Sequence, residues 1–429
     1  MRPTTDAMGD GGVVDVLGVG FGPANLALAI ALDEVPDGRR SVCFLERRRS
    51  FAWHPGMLLP GTSMQISFLK DLVTLRNQTS PFSFLAYLGA RGRLVDFVNR
   101  AVLTPERAEF ADYLAWAAAP FAAQVRYGHE VTGLTPADGD DGARFAVAHR
   151  GPDGTERITR ARSVVVARGL RPVLPAWADE VGTDRVFHNI ELVPRLEELE
   201  QTLPEGLSGA RFLVVGGGQS AAEVALHLHD TGARVDMVFH GFGLGDVDES
   251  PFVNQVFDPG VVDEFDVASA EVRDALLKRH GNTNYAAVEH ALTRELYDRW
   301  YREAVTGPRR LRVHRTNEIV SASVTDGGAV EVARRRITTG ERTVTTFDAV
   351  VCATGFEPGG LTGLDGAVPP GSDVHVARSH RAVIDGVELP GLYVQGADLP
   401  GHGLGTTLLS NVAVRAGEIA RALDHEEST

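Results

Sequence analysis

The run Val13-Val14-Asp15-Val16-Leu17-Gly18-Val19-Gly20-Phe21-Gly22-Pro23-Ala24-Asn25-Leu26-Ala27-Leu28-Ala29-Ile30-Ala31-Leu32 decides the fold. Its first five residues read as a strand, the glycine-rich middle as a tight turn, and Leu26 to Leu32 as a helix of strong helix formers. A second strand, Ser41-Val42-Cys43-Phe44-Leu45, ends in Glu46, 26 positions after Gly20. Strand, turn, helix and acid-ended strand make a dinucleotide-binding βαβ unit. Gly18 permits the bend, and Gly20 lets backbone approach a diphosphate at the helix N-terminus. Pro23 takes the third glycine position, with Asn25 just inside the helix. Glu46 accepts hydrogen bonds from ribose hydroxyls and repels a ribose phosphate. The first site is therefore expected to hold FAD or NAD, not NADP.

The same grammar recurs about 200 residues later. The strand Arg211-Phe212-Leu213-Val214-Val215 leads into Gly216-Gly217-Gly218-Gln219-Ser220-Ala221-Ala222-Glu223. A helical run and the strand Arg234 to Phe239 follow, and His240 stands at that strand's end. Ala221 is the small residue at the third glycine position. Val164 to Gly169 and Ala349 to Gly355 are apolar strands ending in glycine turns. Roughly Asp248 to Gly307 has no repeat counterpart. There Tyr285, Val288, Leu292 and Leu296 have the spacing of an amphipathic helix. The fold class is α/β, with two Rossmann-like units and a small, mostly helical insert. Two nucleotides in one chain make hydride transfer between nicotinamide and flavin the economical reading.

Composition narrows the field. The chain has 429 residues, enough for two or three domains. Its net charge of −15 has the wrong sign for a nucleic-acid binder or for an anionic membrane surface. Cys43 and Cys352 lie far apart. That excludes a disulfide framework, a Cys-rich zinc site and a CxxC dithiol, and it suits a reducing cytoplasm. No metal site is expected. Met1 to Gly12 has no apolar signal core, and no apolar run reaches the roughly 18 residues of a membrane span. Glycine, at 47 residues, is about 11% against a usual 7%. Without a dithiol, the electrons must go to oxygen, a small substrate or a partner protein.

Other residues carry a resemblance. They are Trp53-His54-Pro55-Gly56-Met57, Met64-Gln65-Ile66-Ser67-Phe68-Leu69-Lys70-Asp71-Leu72-Val73-Thr74-Leu75-Arg76-Asn77, Ser80-Pro81-Phe82-Ser83-Phe84-Leu85, Ser250-Pro251-Phe252-Val253-Asn254, Asn282-Thr283-Asn284-Tyr285 and His402-Gly403-Leu404. From about Val14 to about Leu423 the chain resembles the flavin-dependent N-hydroxylating monooxygenases, the ornithine and lysine hydroxylases of siderophore and hydroxamate biosynthesis. The resemblance implies FAD reduced by NADPH, O2 as co-substrate, a C4a-hydroperoxyflavin, and hydroxylation of a side-chain amine. It favours L-ornithine, giving N5-hydroxy-L-ornithine. L-lysine and diamines such as putrescine or cadaverine are alternatives. A flavin NADPH oxidase or electron-transfer reductase is the reading from another class. A homo-oligomer, tetramer or dimer, is also implied.

The resemblance assigns roles residue by residue. Lys70, a cation in an otherwise apolar stretch, would bind the substrate α-carboxylate. Met64 and Gln65 would line flavin and pocket. Asn254 would hold the substrate backbone groups. Asn284 would sit near the reacting amine and the nicotinamide ribose, where an uncharged amide suits an amine that must become neutral. Arg107, Trp53, His54 and Leu408 would lie at the flavin, and Ser410 in the pocket. Gly216, Gly218, Gln219, Ser220, Glu223 and His240 would serve NADPH, with Gly18, Gly20, Pro23, Asn25 and Glu46 at FAD.

Three departures stand out. Gly405 and Thr406 occupy positions where the family commonly has Ser-Asp. His240 stands where it commonly has arginine for the adenosine phosphate, which weakens the preference for NADPH over NADH. Arg168 replaces the threonine of an Ala-Thr-Gly turn. The expected division is 1–175 and 349–429 for the FAD unit, 176–247 and 308–348 for the NADPH unit, and 248–307 for the substrate insert. The acidic tail from His425 is expected to fray.

Overall fold

The computed structural model describes residues 12–35, 40–138, 141–283, 287–361 and 363–427. Among them, nine strands form the larger sheet. Val13–Val19 lies in its middle, parallel to Val42–Glu46 on one side and to Glu156–Val166 on the other. Val387–Val394 adds in parallel next to Glu156–Val166, and Val125–Tyr127 next to Val42–Glu46. Parallel strands covered on both faces need continuous apolar runs. Val164, Val165 and Val166 are fully buried.

The glycine turn after Val19 leads into the helix Pro23–Asp33. Its Leu26, Leu28 and Ile30 have no exposed surface, each burial being worth roughly 1.5–3 kcal/mol. This helix packs on the C-terminal helix Val412–Glu427 through Val412, Ala416, Ile419 and Leu423, one face at helical spacing. The C-terminal segment thus completes the layer begun by the helix Pro23–Asp33.

The second sheet is parallel throughout. Its order is Leu311–Arg315, Arg234–Phe239, Arg211–Val215, Ala349–Cys352, Val186–His188. The helix Gln219–Asp230 follows its central strand. An antiparallel three-stranded sheet, Asn317–Val324, Val330–Arg336 and Arg342–Phe347, sits beside it. Two sheets of this kind establish the α/β fold with two dinucleotide-binding units. Between them the insert carries helices Val261–Val267 and Ala270–His280. No helix among the described residues is long and apolar enough to cross a membrane.

Two expectations need correction. The amphipathic helix starts at His290 and runs to Thr306, so Val288 lies outside it. Ala287–Val288 instead pairs with Gly245–Asp246, and the Glu289 N–H donates to Gln219 Oε1 at 2.9 Å. Those bonds hold the backbone extended where helical spacing alone suggested a helix. Tyr285 lies outside the described residues. At the C-terminus the helix persists through Glu427. Glu426 is anchored there, its carboxylate accepting from Arg381, Arg144, the Tyr393 hydroxyl (2.9 Å) and the Gly391 N–H.

Candidate active site

At the first turn, Gly20 has φ +83°, and an added Cβ would stand 2.6 Å from the Ala167 carbonyl oxygen. Only glycine meets both constraints. Gly22 caps the helix without a side-chain acceptor, and an added Cβ there would meet open space. Pro23, at the first helical position, has no N–H to lose. The amides that follow, in the helix's first turn, are of the kind left without intrahelical partners, which an anion cradle uses. Glu46 accepts from the Phe21 N–H at 2.7 Å and from the Arg48 N–H at 2.9 Å. It holds the turn and keeps lone pairs for a ribose. These residues fit a dinucleotide.

Asn25 behaves differently from expectation. It is wholly buried; its Nδ2 donates to the Gly20 carbonyl at 2.7 Å, and its Oδ1 accepts from Gln395 at 3.1 Å. It shapes the turn from behind.

The second turn repeats the design. Gly216 has φ +142°, and a Cβ would come within 2.3 Å of the Ala353 oxygen. Gly218 caps the helix, again without a side-chain acceptor. Gln219 and Ser220 are the first helical residues, and Ala221 is fully buried behind them. His240 lies exposed just after Phe239, whose Cβ is 3.1 Å from the position a Gly217 side chain would take. It is thus beside the turn, where an adenosine ribose would be read.

The segment that carries the resemblance forms a wall beside the first unit. Met64 donates its N–H to the Pro105 carbonyl at 2.8 Å, and Phe68 to Leu103 at 2.9 Å. Met64 is buried in one core with Leu72 and Val73, against which Trp53, Ile66, Phe68 and Leu409 pack. That core joins the Trp53 loop, the Met64 segment and the Leu408–Ser410 segment. Gln65 is exposed, Leu408 half-buried and Ser410 buried. Lys70 is half-buried, and its ammonium has no carboxylate partner among the described residues. Its neighbour Asp71 faces inward and accepts from the N–H groups of Val73, Thr74 and Phe84 at 2.6–2.9 Å. A Lys70–Asp71 surface pair is thereby excluded.

Asn254 lies in the turn Val253–Phe257, its side-chain amide donating to the Glu249 carbonyl at 3.0 Å. This turn abuts Gly405 through Phe257, bringing the insert against the C-terminal segment. Asn284 lies outside the described residues. The glycine at position 405 has a local reason: a Cβ would stand 2.7 Å from the Asn411 amide nitrogen. Nothing in the structure explains Arg168 in place of threonine.

His54 adopts φ +43° ahead of the turn Pro55–Met57, edge-on to Trp53 with ring centroids 5.0 Å apart. Burial, with the charges of Arg48 and Arg107, lowers its pKa to about 4, so its imidazole is neutral. Beyond it the chain crosses to the second unit. Met57 and Leu59 are buried in that unit's core. An added Cβ at Gly56 would lie 1.9 Å from the Ile190 oxygen.

Arg107 opens the helix Arg107–Ala118 of the first unit. Its two terminal nitrogens each donate to an oxygen of Glu223 at 2.8 Å, a bidentate pair across the two units. Composition and spacing gave no sign of this contact, because its partners are 116 positions apart.

These features define an oxidoreductase built on two dinucleotide-binding units. Residues 12–358 match the family model described as L-lysine 6-monooxygenase/L-ornithine 5-monooxygenase. The chain is 38% identical to L-ornithine N(5)-monooxygenase of Pseudomonas aeruginosa, over 98% of this chain and 95% of that one. It is similar to the solved ornithine N-hydroxylase of Kutzneria sp. 744, with a TM-score of 0.89, 38% identity, and coverage of 97% of this chain and 100% of that one. The L-lysine 6-monooxygenase of Pseudomonas syringae has a TM-score of 0.80 at 30% identity, covering 96% and 99%. The chain belongs to this family of flavin-dependent N-hydroxylating monooxygenases.

Proposed function

We propose that the protein hydroxylates the side-chain amine of free L-ornithine to N5-hydroxy-L-ornithine, using FAD, NADPH and O2, in the cytoplasm and for hydroxamate biosynthesis. The Kutzneria relative was solved with reduced FAD, NADP+ and L-ornithine, which supports carrying all three to this chain. The observation that carries the reading is Lys70, a half-buried cation without a carboxylate partner among the described residues, on the wall that also holds Met64 and Gln65. A substrate α-carboxylate supplies the missing charge. A diamine offers none.

FAD bound at the first turn would supply the chemistry of oxygen transfer to nitrogen, after reduction by NADPH bound at the second. The chain's residues bind and orient. Gly20, Gly22 and Glu46 receive one dinucleotide; Gly216, Gly218, Gln219 and Ser220 receive the other. Lys70 and Asn254 fix the amino-acid end, Asn284 is assigned to the reacting amine and the nicotinamide ribose, and Ser410 to the pocket. The apolar wall around Met64, Trp53 and Leu409 keeps water out and favours the neutral amine, whose lone pair must attack. The domain division follows the same assignment, 1–175 with 349–429 for FAD, 176–247 with 308–348 for NADPH and 248–307 for substrate. We assign a homo-oligomeric assembly, dimer or tetramer, by the same resemblance.

The test is a panel of ornithine, lysine, putrescine and cadaverine, with NADPH consumption followed beside mass detection of the hydroxylated product. Ornithine should give the highest hydroxylation. NADPH consumed at full rate into peroxide alone, with every amine, would overturn the reading.

A further inference from the structure

Hydride transfer needs two cofactors held at one distance and angle, yet each turn belongs to a different sheet. The relative placement of the units therefore has to be built by contacts between them. Three such contacts lie together. Met57 and Leu59 of the first unit are buried in the second unit's core, and Gly56 runs against the Ile190 backbone. Both are apolar or steric and carry no directional side-chain bond. The third is directional: Arg107 and Glu223, bidentate at 2.8 Å, with 14% and 4% of the two side chains exposed.

The surroundings of Glu223 extend the contact. Arg107 Nη1 also donates to the Met57 carbonyl at 3.2 Å, and its backbone N–H to the Thr62 carbonyl at 2.9 Å. Gln219, first residue of the helix at the second glycine turn, donates to Glu223 Oε1 at 3.0 Å. The Gln219 Oε1 accepts from the N–H of Glu289, which caps the insert's long helix His290–Thr306. One carboxylate thus joins the first unit's helix start, the second unit's dinucleotide turn and, through Gln219, the start of the insert's long helix. A bidentate guanidinium–carboxylate pair fixes orientation as well as distance. Buried pairs contribute little net stability over an apolar substitute, so its use here is geometric.

We propose that Glu223 is a positioning residue for flavin reduction. Through Arg107 it sets the angle of the NADPH unit against the FAD unit, and through Gln219 it holds the second turn in register with that angle. In this role Glu223, both of whose oxygens are taken by Arg107 and Gln219, acts through those two residues in place of the direct NADPH contact that the resemblance implies. The proposal rests on the assignment of FAD and NADPH to the two turns.

The test uses the FAD-loaded full chain with Glu223→Gln and Glu223→Ala. Anaerobic stopped-flow gives the flavin reduction rate at saturating NADPH, and titration gives the Kd for NADPH. The expected result is a reduction rate at least tenfold lower, with Kd within threefold of wild type and FAD content unchanged. Glu223→Asp, which keeps the charge, should recover part of the rate. A saturating rate within threefold of wild type in both variants overturns the proposal. So does a loss confined to Kd, which would make Glu223 a nucleotide contact. If Glu223→Ala does not fold, the near-isosteric Glu223→Gln carries the test. Wild-type enzyme that NADPH cannot reduce would refute the cofactor assignment itself, separately from the role of Glu223.

Discussion

At the scale of single residues, charge without a partner is the informative feature. Lys70→Ala should raise the ornithine KM at least tenfold, because losing a charged hydrogen bond costs about 1.5–3 kcal/mol. Flavin reduction by NADPH should stay within twofold of wild type, and parallel loss in both would remove Lys70 from substrate binding. His402 offers a pH test. It is buried, both ring nitrogens lack partners among the described residues, and burial together with the nearby His380 lowers its pKa to about 4. The unfolded chain titrates this group near 6.5. Between those values the unfolded chain binds a proton that the folded one refuses. Stability from this residue is full above pH 6.5 and declines as pH falls toward 4, by at most about 3 kcal/mol. In His402→Gln the fall in Tm between pH 6.5 and 4.5 should be shallower; an equal slope would show that His402 does not titrate this way. Residue roles were only partly legible in the sequence. The Lys70 anomaly was visible because its neighbours are apolar. The Asn25 side chain was not legible as a turn-holding group, because an amide looks the same whether it faces a cofactor or three backbone carbonyls.

At the scale of elements, the two glycine turns are the decisive pieces. Gly20 and Gly216 each combine positive φ with a carbonyl oxygen inside 2.7 Å of any added Cβ. Gly20→Ala should therefore yield protein with at least tenfold weaker FAD retention, and Gly216→Ala protein that retains FAD but binds NADPH at least tenfold less tightly. Absorbance of the purified variants and NADPH titration separate the two. The reverse pattern would mean that the nucleotide assignments are exchanged. These strands, turns and helices were readable because their signals are local: buried parallel strands are apolar runs, and turns need glycine. The insert was less so. Val288 kept helical spacing with Leu292 and Leu296, yet it pairs as strand with Asp246, an interaction from 42 positions away that no local window contains.

At the scale of the whole molecule, contacts between the two units matter most. Gly56 lies so close to Ile190 that Gly56→Ala has to shift one unit against the other. The expected outcome is a lower saturating flavin-reduction rate, by about tenfold, with FAD still bound; stopped-flow reduction and flavin absorbance check it. Unchanged reduction would show that the interface absorbs a methyl group. The C-terminal helix belongs to the same scale. Glu426 is held by Arg381, Arg144 and Tyr393, so the acidic end is a clasp on the first unit's sheet.

What the sequence by itself determined was the kind of machine: two dinucleotide turns, an acid at the end of the second strand, a cation set among apolar neighbours, and no dithiol. Each is encoded by backbone conformation or side-chain chemistry within a few residues. Only the tertiary structure decided how the two units are joined. Arg107 meets Glu223, Gly56 meets Ile190 and Asn25 meets Gln395 across gaps of 116, 134 and 370 positions. Such pairings depend on how packed layers bring distant segments together, and that is set by burial of the whole chain rather than by any stretch of it.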